Sequence, residues 1–312
     1  MDNFTASAQV VLPLLFMMLV GMGLRRCGLG DPALFKRLDA IIFRAFMPLL
    51  LFYNIYTVDL SSSFNPWLMG FAVLSLIALF ALSMVLVPLA EKDNKKRASL
   101  IQAIVRGNFI IFGVSVSASL YGPENTGVVA LLGSLVVPMI NALSVIILEY
   151  FRQGQVNARQ MAWNILKNPL VVGGILGIAF LLTGVRLPST VLNTVKDLSN
   201  VTTPLALVSL GGSLMISDVK ANKRPLLLGL ISRLVLVPAL FLPLSILLGF
   251  RGQDLTALMV MFAAPTAVSS YPMAQQMDAD GPLAGQMVAF TTILSILTIF
   301  LIVFVLKELN FL

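Results

Sequence analysis

Histidine is absent from this chain of 312 residues, and cysteine occurs once, at Cys27. A single thiol excludes an intrachain disulfide and a cysteine-rich metal site, and without imidazoles most transition-metal chemistry goes too. No metal and no cofactor is expected. Charge is scarce as well, at 11% of residues against roughly 25% in a soluble domain. Carboxylates are missing from the middle of every apolar run, since Asp59, Glu124, Glu149, Asp218 and Asp254 stand near run ends. A proton or cation antiporter normally keeps an ionisable carboxylate near the bilayer midplane. An enzyme is disfavoured on the same grounds: no histidine, no reactive-cysteine motif and no midplane carboxylate pair means no proton-transfer apparatus.

What fills the chain is apolar. Hydrophobic residues make up 58% and the mean hydropathy is +0.94, so the fold class expected is an all-α integral membrane protein. Stretches near the length that spans hydrocarbon run over residues 6–24, 38–56, 66–90, 98–120, 125–149, 169–184, 198–217, 225–249, 254–277 and 283–306, which makes about ten transmembrane helices. The first follows Asp2 rather than a basic segment and has no obvious small-residue cleavage site, so it is expected to be retained. Gly28-Leu29-Gly30-Asp31-Pro32 marks a turn and a helix start.

The net charge of +7 does not point to nucleic acid, because the basic residues lie in short connections between apolar runs. Fifteen of the 21 lysines and arginines fall in alternate connections: Arg25, Arg26, Lys36, Arg37 and Arg44; Lys92, Lys95, Lys96 and Arg97; Arg152, Arg159 and Lys167; Lys220, Lys223 and Arg224. Arg186, Lys196, Arg251 and Lys307 mark the opposite side. Positive charge marks the cytoplasm. Both termini are therefore expected outside, in a bacterial inner (plasma) membrane.

Proline and glycine repeat. Pro13 and Pro169, Gly21 and Gly177, Gly28 and Gly184, Pro32 and Pro188, and Pro48 and Pro204 are each 156 positions apart; Pro66 and Pro225, Gly122 and Gly281, and Pro123 and Pro282 are 159 apart. Five spans per repeat is an odd number, so the second copy enters the membrane inverted. The expected units are residues 1–157 and 158–312.

In the ninth span, Ala263-Ala264-Pro265-Thr266-Ala267-Val268-Ser269-Ser270-Tyr271-Pro272 places two prolines seven residues apart among hydroxyls. Each proline removes a backbone donor and clashes with the preceding turn. Lipid cannot satisfy the freed groups, and in secondary transporters a broken helix is where substrate sits. The repeat pairs this span with the fourth, whose centre, Arg106-Gly107-Asn108 through Gly113-Val114-Ser115, has glycines and serines that permit a local break. Broken helices four and nine are expected to cross near the midplane.

These features, namely the ten spans in two inverted fives, Arg106-Gly107-Asn108 with Gly113 five residues after Asn108, and the Ala264-Pro265 break, resemble the auxin efflux carrier (PIN-like) family, in its bacterial malate or malonate permease branch. The resemblance covers essentially the whole chain. It implies a scaffold of helices 1, 2, 6 and 7, a moving transport bundle of helices 3–5 and 8–10, and an organic anion bound beside the crossing, with Asn108 near its carboxylate. Many members carry a proline two residues after the glycine matching Gly113, where this chain has Ser115.

Asn108 carries both a donor and an acceptor, suited to a substrate carboxylate or to carbonyls freed by the break. Arg106 is placed to attract an anion or to snorkel to the headgroups; Arg233 is expected to snorkel. Gly113, Ser115, Pro265, Thr266, Ser269 and Ser270 complete the expected lining of the crossing. Asn141, Thr203, Pro204 and Pro48 are candidates for the facing wall, with Pro48 and Pro204, the latter preceded by Thr202 and Thr203, expected to shape it. Tyr53, Asn54 and Tyr56 suggest an interfacial belt, and Gly173, Gly174 and Gly177 suggest close helix packing.

The expected function is secondary transport, by alternating access at the crossing, of a small organic anion: a carboxylate such as malate, malonate or an auxin-like acid. A sodium-coupled organic anion symporter, an anion channel and a membrane sensor are the alternatives. The partners expected are the anion and the lipid bilayer, with no nucleic acid and a homodimer left open.

Overall fold

The computed structural model describes residues 2–57, 65–122, 125–152, 158–214, 219 and 221–312. The expectations attached to Asp59, Pro123, Glu124, Asp218 and Lys220 fall outside them. Among the described residues the chain is helical, with no strand. The helices are α1 (Asp2–Arg26), α2 (Pro32–Tyr56), α3 (Pro66–Ala90), α4 (Asn94–Val105), α5 (Phe109–Tyr121), α6 (Gly127–Arg152), α7 (Ala158–Lys167), α8 (Pro169–Thr183), α9 (Ser189–Ser213), α10 (Lys223–Leu247), α11 (Gly252–Ala263), α12 (Ser270–Gln276) and α13 (Gly281–Glu308).

Helix starts share one local device. The side chains of Asp31, Asn65, Asp93, Asn168 and Asp280 each accept from an amide of the turn that follows. Such a cap contributes about 1 kcal/mol. In four of the five cases a proline stands at the first or second helical position, where its missing N–H costs nothing.

Among the described residues five helices, α2, α3, α6, α10 and α13, are individually long and apolar enough to cross a membrane. α7 and α8 meet at a 67° bend and together meet the same test. The stretch at 169–184 thus corresponds to α8, while the stretch at 198–217 begins earlier than expected, at Ser189. α2 and α10 each contain one turn of π-helix, Ile42–Phe46 and Ser232–Leu236, with Pro48 and Pro238 two residues beyond. A proline has no N–H to continue the ladder, and the wide turn absorbs the mismatch.

Small residues draw helices together. A β-carbon at Gly21 would fall 1.9 Å from the Val208 carbonyl oxygen, so α1 and α9 pack backbone to backbone; one at Gly173 would fall 2.5 Å from the Pro48 carbonyl oxygen, so α8 meets α2 in the same way. Close approach of this kind maximises van der Waals contact where lipid supplies no hydrophobic drive.

Candidate functional site

The fourth and ninth stretches are each interrupted, and the interruptions meet. α4 stops at Val105 and α5 begins at Phe109; α11 stops at Ala263 and α12 begins at Ser270. Gly107 and Thr266 form an isolated antiparallel bridge. Around it the Asn108 amide donates to the Pro265 carbonyl at 2.8 Å, and the Ala267 amide donates to the Arg106 carbonyl at 2.9 Å. Thr266 is used up locally, its Oγ1 donating to the Ala103 carbonyl at 3.0 Å and its amide to Thr291 Oγ1 at 3.0 Å.

Arg233 completes the junction. Fully buried on α10, it donates from Nε to the Ala264 carbonyl at 2.7 Å, from Nη1 to the Ile104 carbonyl at 2.8 Å and from Nη2 to the Met261 carbonyl at 3.1 Å. The expected snorkelling is therefore corrected. One guanidinium binds carbonyls at the ends of both α4 and α11, where the helix dipole is negative and backbone groups lack helical partners. This is how irregular backbone survives at depth, satisfied by protein rather than lipid.

Beside the junction lies a cavity of about 320 Å³ walled by α2, α5, α6, α9 and both interruptions. Of the expected residues, Arg106, Asn108, Asn141, Thr203 and Ser269 line it. Arg106 is buried and donates from Nη2 to Asn141 Oδ1 at 2.7 Å and to Ser269 Oγ at 2.6 Å, with Nη1 on the Met273 sulfur. It points across the junction rather than toward headgroups. Neither Arg106 nor Arg233 has a carboxylate partner among the described residues, so both charges add positive potential here.

Asn108 has an unused hydrogen-bond donor. Its backbone holds the junction, but its side-chain Nδ2 is buried without a hydrogen-bond partner. Nor does the side chain cap α5, whose first-turn residues Phe109, Ile110 and Ile111 form the adjoining wall. A helix N-terminus presents free amides and the positive end of its dipole. An unpaired amide donor, an uncapped helix start and an arginine thus stand around one cavity, and groups of these kinds favour negative charge.

The other expected residues lie elsewhere. Gly113 packs on Val129 of α6, and the Ser115 hydroxyl turns back to the Ile111 carbonyl at 2.8 Å, because in an unbroken helix that carbonyl is its nearest acceptor. Pro265 and Thr266 build the junction itself; Ser270 is buried in the first turn of α12, off the cavity wall. Pro48 faces Gly173, and Pro204 lies within α9. Neither proline lines the cavity.

Several residues were missed from sequence. Asn54, expected in an interfacial belt, lines the cavity, as do Ser199 and Asn200. The signal was present: Ser199, Asn200 and Thr203 are spaced to share a helix face. Carboxylates are not confined to the periphery either. Glu149 is buried with Asn164 at its Oε1, and Asp39, close to the edge of an apolar run, is fully buried.

Comparison with known proteins places these features in context. The family described as membrane transport protein matches residues 6–303. An uncharacterized transporter of Methanocaldococcus jannaschii is 28% identical over 304 residues, spanning 93% of this chain and 96% of that protein. A second uncharacterized transporter, from Methanothermobacter thermautotrophicus, is 25% identical over 300 residues, spanning 95% of this chain and 97% of its own.

Proposed function

The chain belongs to the membrane transport protein family, which includes auxin efflux carriers, and we propose that within it this protein carries a small organic anion bound where the two interrupted helices meet. It is a transporter rather than an enzyme, and an integral membrane protein. The substrate class is a carboxylate such as malate, malonate or an auxin-like acid. The observation that carries this reading is Asn108, whose side-chain Nδ2 is buried and unpartnered and which lines a cavity shared with Arg106 and the uncapped start of α5. A buried donor left empty costs about 1 to 3 kcal/mol. A carboxylate oxygen would fill it and be met by positive potential.

The mechanism proposed is alternating access by two inverted five-helix repeats, residues 1–157 and 158–312, forming ten transmembrane helices. Bridge geometry supports the repeat. Gly107 and Thr266 are 159 positions apart, as Pro66 and Pro225 are. The same offset carries Asn108 onto Ala267 and Arg106 onto Pro265, so the two flanking hydrogen bonds exchange with one another. A two-fold axis through the bridge would produce this pattern. The contacts of Gly21 with α9 and of Gly177 with α2 are related in the same sense. We assign stretches 1, 2, 6 and 7 to a scaffold and the remainder to a moving bundle, with both termini outside a bacterial plasma membrane.

A second cavity, of about 390 Å³, shares Asn54, Ile110 and Val137 with the first and extends to Thr57 and Gly127. That end of α2 is external in the proposed topology, which makes this the outward route. A thermal-shift screen of purified protein against malonate, malate, indole-3-acetate and sodium chloride tests the reading. Carboxylates are expected to raise the melting temperature and chloride is not; a response to sodium alone would favour cation binding instead.

A further inference from the structure

Arg233 is among the largest fully buried side chains, and no carboxylate pairs with it among the described residues. A buried charge is costly unless it is paired and hydrogen-bonded. Here the pairing is with backbone alone. From the π-helical turn of α10, its Nε, Nη1 and Nη2 donate to the carbonyls of Ala264, Ile104 and Met261.

Each of the three carbonyls is free for a reason written in the chain. In an α-helix an amide donates to the carbonyl four residues back. Met261 stands four residues before Pro265, which has no N–H to give. Ile104 stands four before Asn108, whose amide goes to the Pro265 carbonyl instead. Ala264 lies just past the end of α11, where carbonyls lack helical partners. Two helix ends thus turn three carbonyls toward one spot, with the negative ends of both dipoles behind them.

Unwound carbonyls and half-helix C-terminal ends are what carriers with broken helices use to coordinate a coupling sodium ion. In this chain a guanidinium stands among them, with a charge that is permanent and a planar fork of donors that meets several acceptors at once. We propose that Arg233 is a tethered cation in a carbonyl cage that would otherwise take a free monovalent cation, so that the carrier moves its anion without a coupling ion at this junction. The inference rests on the anion reading above and on the assignment of α4, α10 and α11 to the moving bundle. Cage and cation then travel together. A free ion would load on one side and leave on the other, letting its gradient drive transport, whereas a tethered one does neither. This reading argues against the sodium-coupled symporter.

The test is read first by melting temperature in detergent, at constant ionic strength, with choline chloride exchanged for sodium chloride or, at millimolar levels, for guanidinium chloride. The parent is expected to melt alike in choline and in sodium. Arg233→Ala empties the cage and should melt lower, and sodium or guanidinium should restore much of the loss saturably, as a ligand of the folded state does. Arg233→Met removes the charge but fills the space, and should melt lower with no recovery in either ion. Uptake by parent proteoliposomes of a carboxylate found in the thermal-shift screen should run equally in sodium and in choline. A saturable rise of the parent in sodium, uptake that requires sodium, a folded Ala variant that answers to neither ion, or a Met variant that recovers as Ala does overturns the proposal. The parent comparisons keep the test open if Arg233→Ala does not fold. Failure of carboxylate binding in the screen would instead sink the anion assignment and leave the melting results as they stand.

Discussion

Gly107 and Arg233 are in direct contact across the junction: a β-carbon built at Gly107 would fall 2.0 Å from Nη2 of Arg233. The glycine exists so that the guanidinium can reach the carbonyls of Ile104, Met261 and Ala264. Backbone that has left helical form is thereby paired by a protein side chain. The Gly107–Thr266 bridge and its two flanking hydrogen bonds tie down the backbone of Arg106 and Asn108 at the cavity wall.

Removing the clamp should cost stability before it costs affinity. Arg233→Met leaves three buried carbonyls unpaired, a loss of about 2 to 5 kcal/mol. Gly107→Ala should be destabilising by displacing the same guanidinium. Melting temperature in detergent checks both; a Met variant as stable as the parent would show that the carbonyls find other partners.

Pro265→Ala should restore a backbone donor in the α11–α12 interruption. The new amide competes with Arg233 for carbonyls at the end of α11 and favours a straighter helix. Transport should fall more than expression does. Normal transport by this variant would mean that the junction is not the functional centre.

Topology is checked by cysteine labelling in intact cells, in a Cys27→Ser background. Asn94→Cys, at the first residue of α4, should be protected from an impermeant reagent, and Asn310→Cys, beyond α13, should be labelled. External labelling of position 94 would invert the assignment and, with it, the direction of the second cavity.

Much of this architecture was legible. The helix start at Pro32 announced itself through Asp31-Pro32, and the ninth-stretch break through Pro265, because caps and prolines act within a single turn. The partner break between α4 and α5 has no proline; it is held by pairing with Pro265 and Ala267, partners more than 150 positions away. Arg233 illustrates the limit differently. Its depth in an apolar run was visible, but whether it rises to the headgroups or turns inward depends on which carbonyls a distant break leaves free. Asp39, beside the boundary of an apolar run, carries no local signal of burial, and packing against α9, with Ser209 at its Oδ1, makes it interior.

The account stands on the empty donor of Asn108, and affinity for a carboxylate identified in the thermal-shift screen, measured across pH for two variants, tests it most directly. Asn108→Ala should weaken binding by about 1 to 3 kcal/mol, roughly a tenfold to hundredfold loss, with the melting temperature of the free protein little changed. Asn108→Asp should bind worse than Ala at neutral pH, where a like charge faces the anion, and recover on acidification as the new carboxyl takes up a proton. Unchanged affinity in folded Asn108→Ala protein, or destabilisation of both variants with no acid recovery of binding, would contradict the account and return Asn108 to a purely structural role at the junction.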